Sequence, residues 1–315
     1  MKRRSFLSLL PAVVFAQQKQ PRIYSMAFSP DGSILALGGF REVRLVDPAT
    51  GKPIATLTGH VDAVRALAFT PDGKHLAAGG GIPGKKGEIK IWDVGARTAR
   101  LTAEGHSDCI YSLAVSPDGK TIATSSYDKL IQLWDASTGA KVRTLKDHID
   151  AVYALAYTPD GSRLLSGSAD RTVKIWNPQT GERLYTLSDA VDGINSIAVS
   201  PDGRQVAAGG IDKTIRIWAL GASAGELRNT LIAHEDAILQ VAWSPDGATL
   251  LSASADRTIK IFDASDLTER KSIPNQPDWV LALRFATGGK RFAAGRYDGS
   301  LTFYDVTTTP KVAAR

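Results

Sequence analysis

The tetrapeptide Ser/Thr-Pro-Asp-Gly begins at Ser29, Thr70, Ser116, Thr158, Ser200 and Ser244, and a degenerate Ala-Thr-Gly-Gly begins at Ala286. Successive intervals are 41, 46, 42, 42, 44 and 42 residues. No other feature restricts the fold as strongly, because units repeating at one period build a core by stacking on their neighbours. His148 to Trp176 shows the unit most clearly. An alternating apolar run (Val152, Ala154, Ala156) leads into Thr158-Pro159-Asp160-Gly161, a second run spans Leu164 to Ser168, and Ala169-Asp170-Arg171 turns into a third run ending at Ile175-Trp176. Short runs bounded by Pro, Asp and Gly are strands joined by hairpins. Pro presets φ at the second turn position, and Gly takes the left-handed conformation that closes the loop.

Three to four strand patterns per period of about 42 residues point to a β-propeller, not a helical solenoid. The expected fold class is all-β: a seven-bladed β-propeller of four-stranded antiparallel blades in a closed ring. The repeats run Ile23–His60, Val61–His106, Ser107–His148, Ile149–Ala190, Val191–His234, Glu235–Gln276 and Pro277 onward. Length alone permits two domains, but blades that bury their faces only against neighbours favour one ring over residues 17–315. Either Gln17–Arg22 or Pro310–Arg315 is placed to complete the last blade, and the sequence does not choose between them. An uncompleted edge would invite aggregation.

Residues 1–16, MKRRSFLSLLPAVVFA, lie outside the repeat. A basic start (Lys2, Arg3, Arg4), an apolar run from Phe6 to Phe15 and small Ala16 have the layout of a cleavable export signal peptide. The run is too short for a permanent span, so no membrane anchor is expected. Arg3-Arg4-Ser5-Phe6-Leu7 resembles the twin-arginine signal, with Ser8 where a Lys usually stands, which leaves the general secretory route open. The expected location is periplasmic or extracellular, with a cytoplasmic leader as the alternative. The chain has 38 basic and 32 acidic residues, a net charge of +6. Lys2, Arg3 and Arg4 supply three of those charges, so the remainder is only +3. That is no nucleic-acid footprint. The single cysteine, Cys109, excludes an internal disulfide and a Cys-based zinc site.

Trp92-Asp93 and Trp134-Asp135 close third strands, and Gly59-His60 and Gly105-His106 precede first strands. With these residues the chain resembles the WD-repeat (WD40-type) seven-bladed propeller family, as an exported bacterial member, over residues 22 to 306. The resemblance implies a buried network of His, turn Asp, strand-two Ser/Thr and Trp. Residue by residue it assigns His106, Ser126 (or Thr124), Asp128 and Trp134, then His148, Ser168 (or Ser166), Asp170 and Trp176. Buried imidazole and carboxylate both require such partners. Repeat five has Ala190 and Gly210 at the His and Ser positions, repeat six has Phe262 for Trp, repeat seven has Arg296 and Tyr304, and repeat one has Val46. Repeats three and four are therefore expected to be the most rigid, and one and seven the loosest.

Reaction chemistry finds little support. His60, His106, His148 and His234 share one repeat position, and no two histidines have metal-ligand spacing. The turn aspartates Asp31, Asp72, Asp118, Asp160, Asp202 and Asp246 stand singly where Asp serves its own turn. Calcium needs six or more converging oxygens. Gly79 to Lys86 nearly matches a phosphate-binding loop, but Lys86 replaces the Ser/Thr and the chain continues into a strand. No metal, cofactor or catalytic residue is expected.

The residues after each repeat's first apolar position are Tyr24, Arg65, Tyr111, Tyr153, Asn195, Leu239 and Leu281. Trp279 precedes its strand, and Tyr127 and Tyr297 precede turn aspartates. The resemblance places these with the strand two–three loops on one face of the disc. Aromatic residues beside Arg are the composition of binding hot spots. The expected function is a monomeric, non-catalytic scaffold that binds a protein or peptide through Tyr24, Arg65, Tyr111, Tyr127, Tyr153, Asn195, Trp279 and Tyr297. The alternative is an exported enzyme or small-ligand propeller, lactonase-like or TolB-like.

Overall fold

The computed structural model describes residues 21–306. The export signal read in residues 1–16 and the tail Pro310–Arg315 lie outside the described residues. All regular structure among the described residues is β-strand, and no helix is long and apolar enough to cross a membrane. The fold is an all-β propeller of four-stranded antiparallel blades.

Repeats three to six each form one sheet of four consecutive strands. In repeat four these are Val152–Tyr157, Leu164–Ser168, Val173–Trp176 and Arg183–Leu187. Repeats one and two share a seven-stranded sheet through one 17-residue strand, Pro53–Phe69. Its first half pairs with Phe40–Val46 and its second, from Val64, with His75–Ile82. Repeat seven contributes three described strands, Val280–Phe285, Arg291–Arg296 and Leu301–Asp305.

The turns form as their residues dictate. Gly161, at φ 70°, donates its N–H to Thr158 O at 2.8 Å. Thr158 Oγ1 and the Ser162 N–H donate to Asp160 Oδ1 at 2.6 and 3.0 Å. The Thr158 hydroxyl is the main cause that holds the Asp160 carboxyl down at about 2. These oxygens are engaged within their own turn, as the Asp-turn reading expects. Each turn also packs on the preceding repeat: Gly161 faces Pro117, Gly203 faces Pro159 and Gly289 faces Pro245.

The core lies between neighbouring sheets. Leu165, Val173 and Ile175 of repeat four pack on Ile194, Ile197 and Trp218 of repeat five. The second strand, covered on both faces, is buried along its whole length, while the outermost strand exposes Arg183 and Leu184. The first and last repeats share a cluster of their own, with Ile23, Met26, Leu35 and Leu37 against Ala282 and Ala293.

One irregularity matters for function. In repeats two to seven the first strand bulges after its opening residue, so that Val152 pairs with Ser168 but Ala154 with Gly167. The equivalent shifts fall at Val64/Ala66, Ile110/Ser112, Ile194/Ser196, Ile238/Gln240 and Val280/Ala282. A bulge leaves one residue unpaired and re-aims its side chain. The residues so released are Arg65, Tyr111, Tyr153, Asn195, Leu239 and Leu281.

Candidate binding face

Buried polar networks hold the loops that form this face. In repeat three His106 Nδ1 donates to Asp128 at 2.9 Å, and Trp134 Nε1 donates to Thr124 Oγ1 at 2.8 Å. The Thr124 hydroxyl lies 2.9 Å from His106 Nε2. A neutral imidazole protonated on Nδ1 satisfies every member of this chain. Repeat four repeats it, with His148 to Asp170 at 2.7 Å, His148 to Ser166 at 2.7 Å and Trp176 to Ser166 at 2.8 Å.

The linking hydroxyls are therefore Thr124 and Ser166, a correction to the choice of Ser126 and Ser168. Thr124 and Ser166 sit opposite Gln132 and Lys174, two residues before each tryptophan. Ser126 and Ser168 lie further on, at the strand end, and serve the turn. Ser126 Oγ donates to Asp108 O at 3.0 Å and accepts the Asp128 N–H at 3.1 Å. Ser168 Oγ donates to Ala151 O at 2.8 Å and accepts the Asp170 N–H at 3.1 Å.

The divergent repeats use other solutions. In repeat two Glu88 takes the turn-Asp role, 3.0 Å from His60 Nδ1, and Trp92 Nε1 donates to His60 Nε2 at 3.3 Å. In repeat five, without the His, Trp218 Nε1 donates to Asp189 at 2.7 Å, and Asp212 pairs with Arg216. Repeat seven buries Arg296, whose Nη1 donates to Thr302 Oγ1 at 2.9 Å and Nη2 to Tyr304 Oη at 2.7 Å. Its Nε donates to Gln276 Oε1 at 3.1 Å, with Gln276 at the position that holds His234 one repeat earlier. The substitutions that led repeat seven to be read as loose thus form a network of their own.

Above these networks two aromatic clusters occupy the rim. Tyr111 and Tyr153 meet edge to face at 5.1 Å, Tyr127 lies 6.2 and 6.5 Å from them, and the Arg65 guanidinium stands 5.7 Å from the Tyr111 ring. In the second cluster Tyr297 is 6.4 Å from Trp279 and 6.2 Å from Tyr24, with Arg22 4.2 Å above its ring. Tyr127 and Trp279 are 50% and 49% exposed. Burial beside the other rings pushes the Tyr153 phenol up to about 12, so it remains a hydrogen-bond donor at neutral pH. Asn195 behaves differently: its amide donates to Ile238 O at 2.9 Å and ties neighbouring repeats together. Cys109 is buried, and desolvation raises it to about 11, so it remains a thiol.

Charges that the sequence reading passed over surround the aromatics. Asp62, Asp108, Asp150, Asp192, Asp236 and Asp278 each accept the N–H of the next residue, at 2.6 to 2.8 Å. Arg41, Lys129, Arg171, Lys213 and Arg257 are exposed at left-handed turn positions. Both sets stand at fixed offsets from the repeated turns, a signal available in the sequence. Inside the rim a channel of about 280 Å3 is lined by Tyr24, Arg65, Tyr111, Tyr153, Asn195 and Leu281, and lower down by Gln240 and Arg284. The near match to a phosphate loop is a hairpin between His75–Ile82 and Lys86–Asp93, pinned by Gly84 N–H to Asp108 at 2.9 Å. Among the described residues no three His, Cys, Asp or Glu side chains gather as a metal site.

These sheets, loops and His–Asp–Trp networks define a WD-repeat propeller. The chain belongs to the family described as the IFT122 first beta-propeller, whose model matches residues 126–314. Residues 51–93 and 98–135 match the WD domain, G-beta repeat. No curated protein matches the chain.

Proposed function

We propose that this chain is a non-catalytic scaffold that docks a protein or peptide on the rim formed by the strand-one starts and the strand two–three loops. The observation that carries this reading is the pair of aromatic–arginine clusters, with Tyr127 and Trp279 half-exposed above a rigid floor. Exposed rings with few rotatable bonds lose little entropy on binding, and a flanking guanidinium adds direction. WD-repeat propellers as a class support a scaffold role.

The ring in this proposal has seven blades and acts as a monomer. Counting the seven-stranded sheet as two blades supports that number. Closure is supported by the seam, where the Ile23 N–H donates to Arg296 O at 3.1 Å and Gly32 faces Thr287 as other turn glycines face proline. Export through the residue 1–16 signal is likewise proposed. Amino-terminal sequencing of protein from an extracytoplasmic fraction should begin near Gln17, and a retained Met1 in the cytoplasm would refute export.

The docking face is tested by changing Arg65, Tyr127 and Trp279 together to Ala. Tyr127 and Trp279 contribute little core, so the melting temperature should stay within about 3 °C of wild type. Capture of proteins from extract, compared by mass spectrometry, should lose the specific partner. Unchanged capture by the folded variant would sink the proposal.

A further inference from the structure

Two residues before each Ser/Thr-Pro-Asp-Gly turn the first strand has an alanine: Ala27, Ala68, Ala114, Ala156, Ala198 and Ala242. The seventh repeat has Arg284 at that position. Ala198, Ala242 and Arg284 all line the channel, so one cation reaches in at a level where the other repeats hold a methyl group. Both hydrogen bonds of its guanidinium leave from Nη1, to Gln240 Oε1 at 3.1 Å and to Leu283 O at 2.8 Å. Nε and Nη2 have no partner among the described residues. No carboxylate pairs with Arg284 among the described residues.

Arg284 is exposed to the channel and unpaired, whereas the enclosed cations each have partners. Arg216 has Asp212, Lys174 has Asp147, and Arg296 has Gln276, Thr302 and Tyr304 around it. The edge left free on Arg284, Nε with Nη2, is the fork whose two parallel N–H groups match a carboxylate. Arg284 is exposed to the solvent of the channel, and a cation there with no counter-charge attracts an anion. Arg65 is the other cation of the lining, and the remaining polar groups are neutral: the hydroxyls of Ser112 and Ser196, the amide of Gln240 and the phenols of Tyr111 and Tyr153. A volume of about 280 Å3 admits a small organic acid or one side chain of a peptide.

We infer that Arg284 is the anchor of a carboxylate-binding site inside the channel, gripping the ligand through its Nε/Nη2 edge while Gln240 holds the guanidinium in place. The site goes beyond the docking face proposed above, because it uses neither Tyr127 nor Trp279. Its ligand is a carboxylate, presented either by a free small acid or by an acidic peptide side chain.

Titration of the full chain by calorimetry tests this, with succinate as the free acid and an end-blocked peptide bearing one Glu as the other source. Succinamide and the Gln version of the peptide are the uncharged controls. Wild type should bind at least one of the two acids, and the one bound identifies the source. Arg284→Ala should bind it about tenfold more weakly or worse, and Arg284→Lys should fall between, having charge without the fork. Arg284→Ala installs the residue that the other six repeats carry, so an unchanged melting temperature verifies its fold. No binding of either acid to wild type, equal binding by Arg284→Ala, or equal binding of the uncharged controls would each overturn the site.

Discussion

Arg296→Ala is expected to lower the stability of the seventh repeat and its seam by about 3–5 kcal/mol. Arg296 is 1% exposed and forms no ion pair with a carboxylate among the described residues; its charge is solvated by Gln276 Oε1, Thr302 Oγ1 and Tyr304 Oη. Removing the side chain leaves a cavity and strips donors from three buried acceptors. Part of the loss is recovered, because Tyr304 Oη already donates to Gln276 Oε1 at 3.0 Å. Arg296→Met separates volume from hydrogen bonding. It fills the space without donors and should cost less, about 1–3 kcal/mol, since buried ions are often replaceable by well-packed apolar groups. Urea unfolding of the three proteins checks the order, and a loss below about 1 kcal/mol for Arg296→Ala would show that the network is dispensable.

Asp170→Ala is the second large effect, with about 3–5 kcal/mol expected. The Asp170 carboxylate accepts from His148 Nδ1 at 2.7 Å, Thr172 Oγ1 at 2.6 Å, the Thr172 N–H at 3.1 Å and the Ile149 N–H at 3.2 Å. Four donors in and around a buried turn then lose their acceptor. This network also makes stability depend on pH. Burial alone would raise the Asp170 carboxyl, but the hydrogen bonds from His148 and Thr172 outweigh it and hold the group well below the usual range. An unfolded aspartate titrates near 3.9, so this stabilisation is present above about pH 4 and lost on further acidification. Asp128 and Asp256 are lowered in the same direction, their burial likewise outweighed by hydrogen bonds from His106 and Thr258.

His234 acts at higher pH. Desolvation lowers it, so the folded protein favours neutral imidazole, while the unfolded chain takes up a proton near pH 6.5. Its contribution is complete above about pH 6.5, falls below that, and stops changing beneath the folded pKa. Scanning calorimetry from pH 7.5 to 3 should therefore show one decline below about pH 6.5 and a steeper one below about pH 4. Asp170→Ala should flatten the second decline and leave the first. An acid limb identical to wild type would contradict the assignment.

What the linear chain determined is the part that repeats. The Ser/Thr-Pro-Asp-Gly turns pin strand ends by local chemistry, so strand order, period and the antiparallel blade could be read without coordinates. The positions of His106, Asp128, Trp134 and their counterparts followed from the same offsets. Where a residue departs from the repeat, the sequence marked the departure but not its meaning. Arg296 and Tyr304 read as losses until folding set them against Gln276, and Ser126 read as well as Thr124 because alternation puts both on one face of the strand. Only the distance to the indole separates them. The candidate rim depended most on tertiary structure, because bulges in the first strands release Tyr111 and Tyr153, and the packing of neighbouring sheets sets those rings beside Tyr127 and Arg65. Arg284 is the clearest case. Its departure from six alanines was visible in the chain, but that its free edge faces a channel without a counter-charge was decided by the packing of the sheets around it.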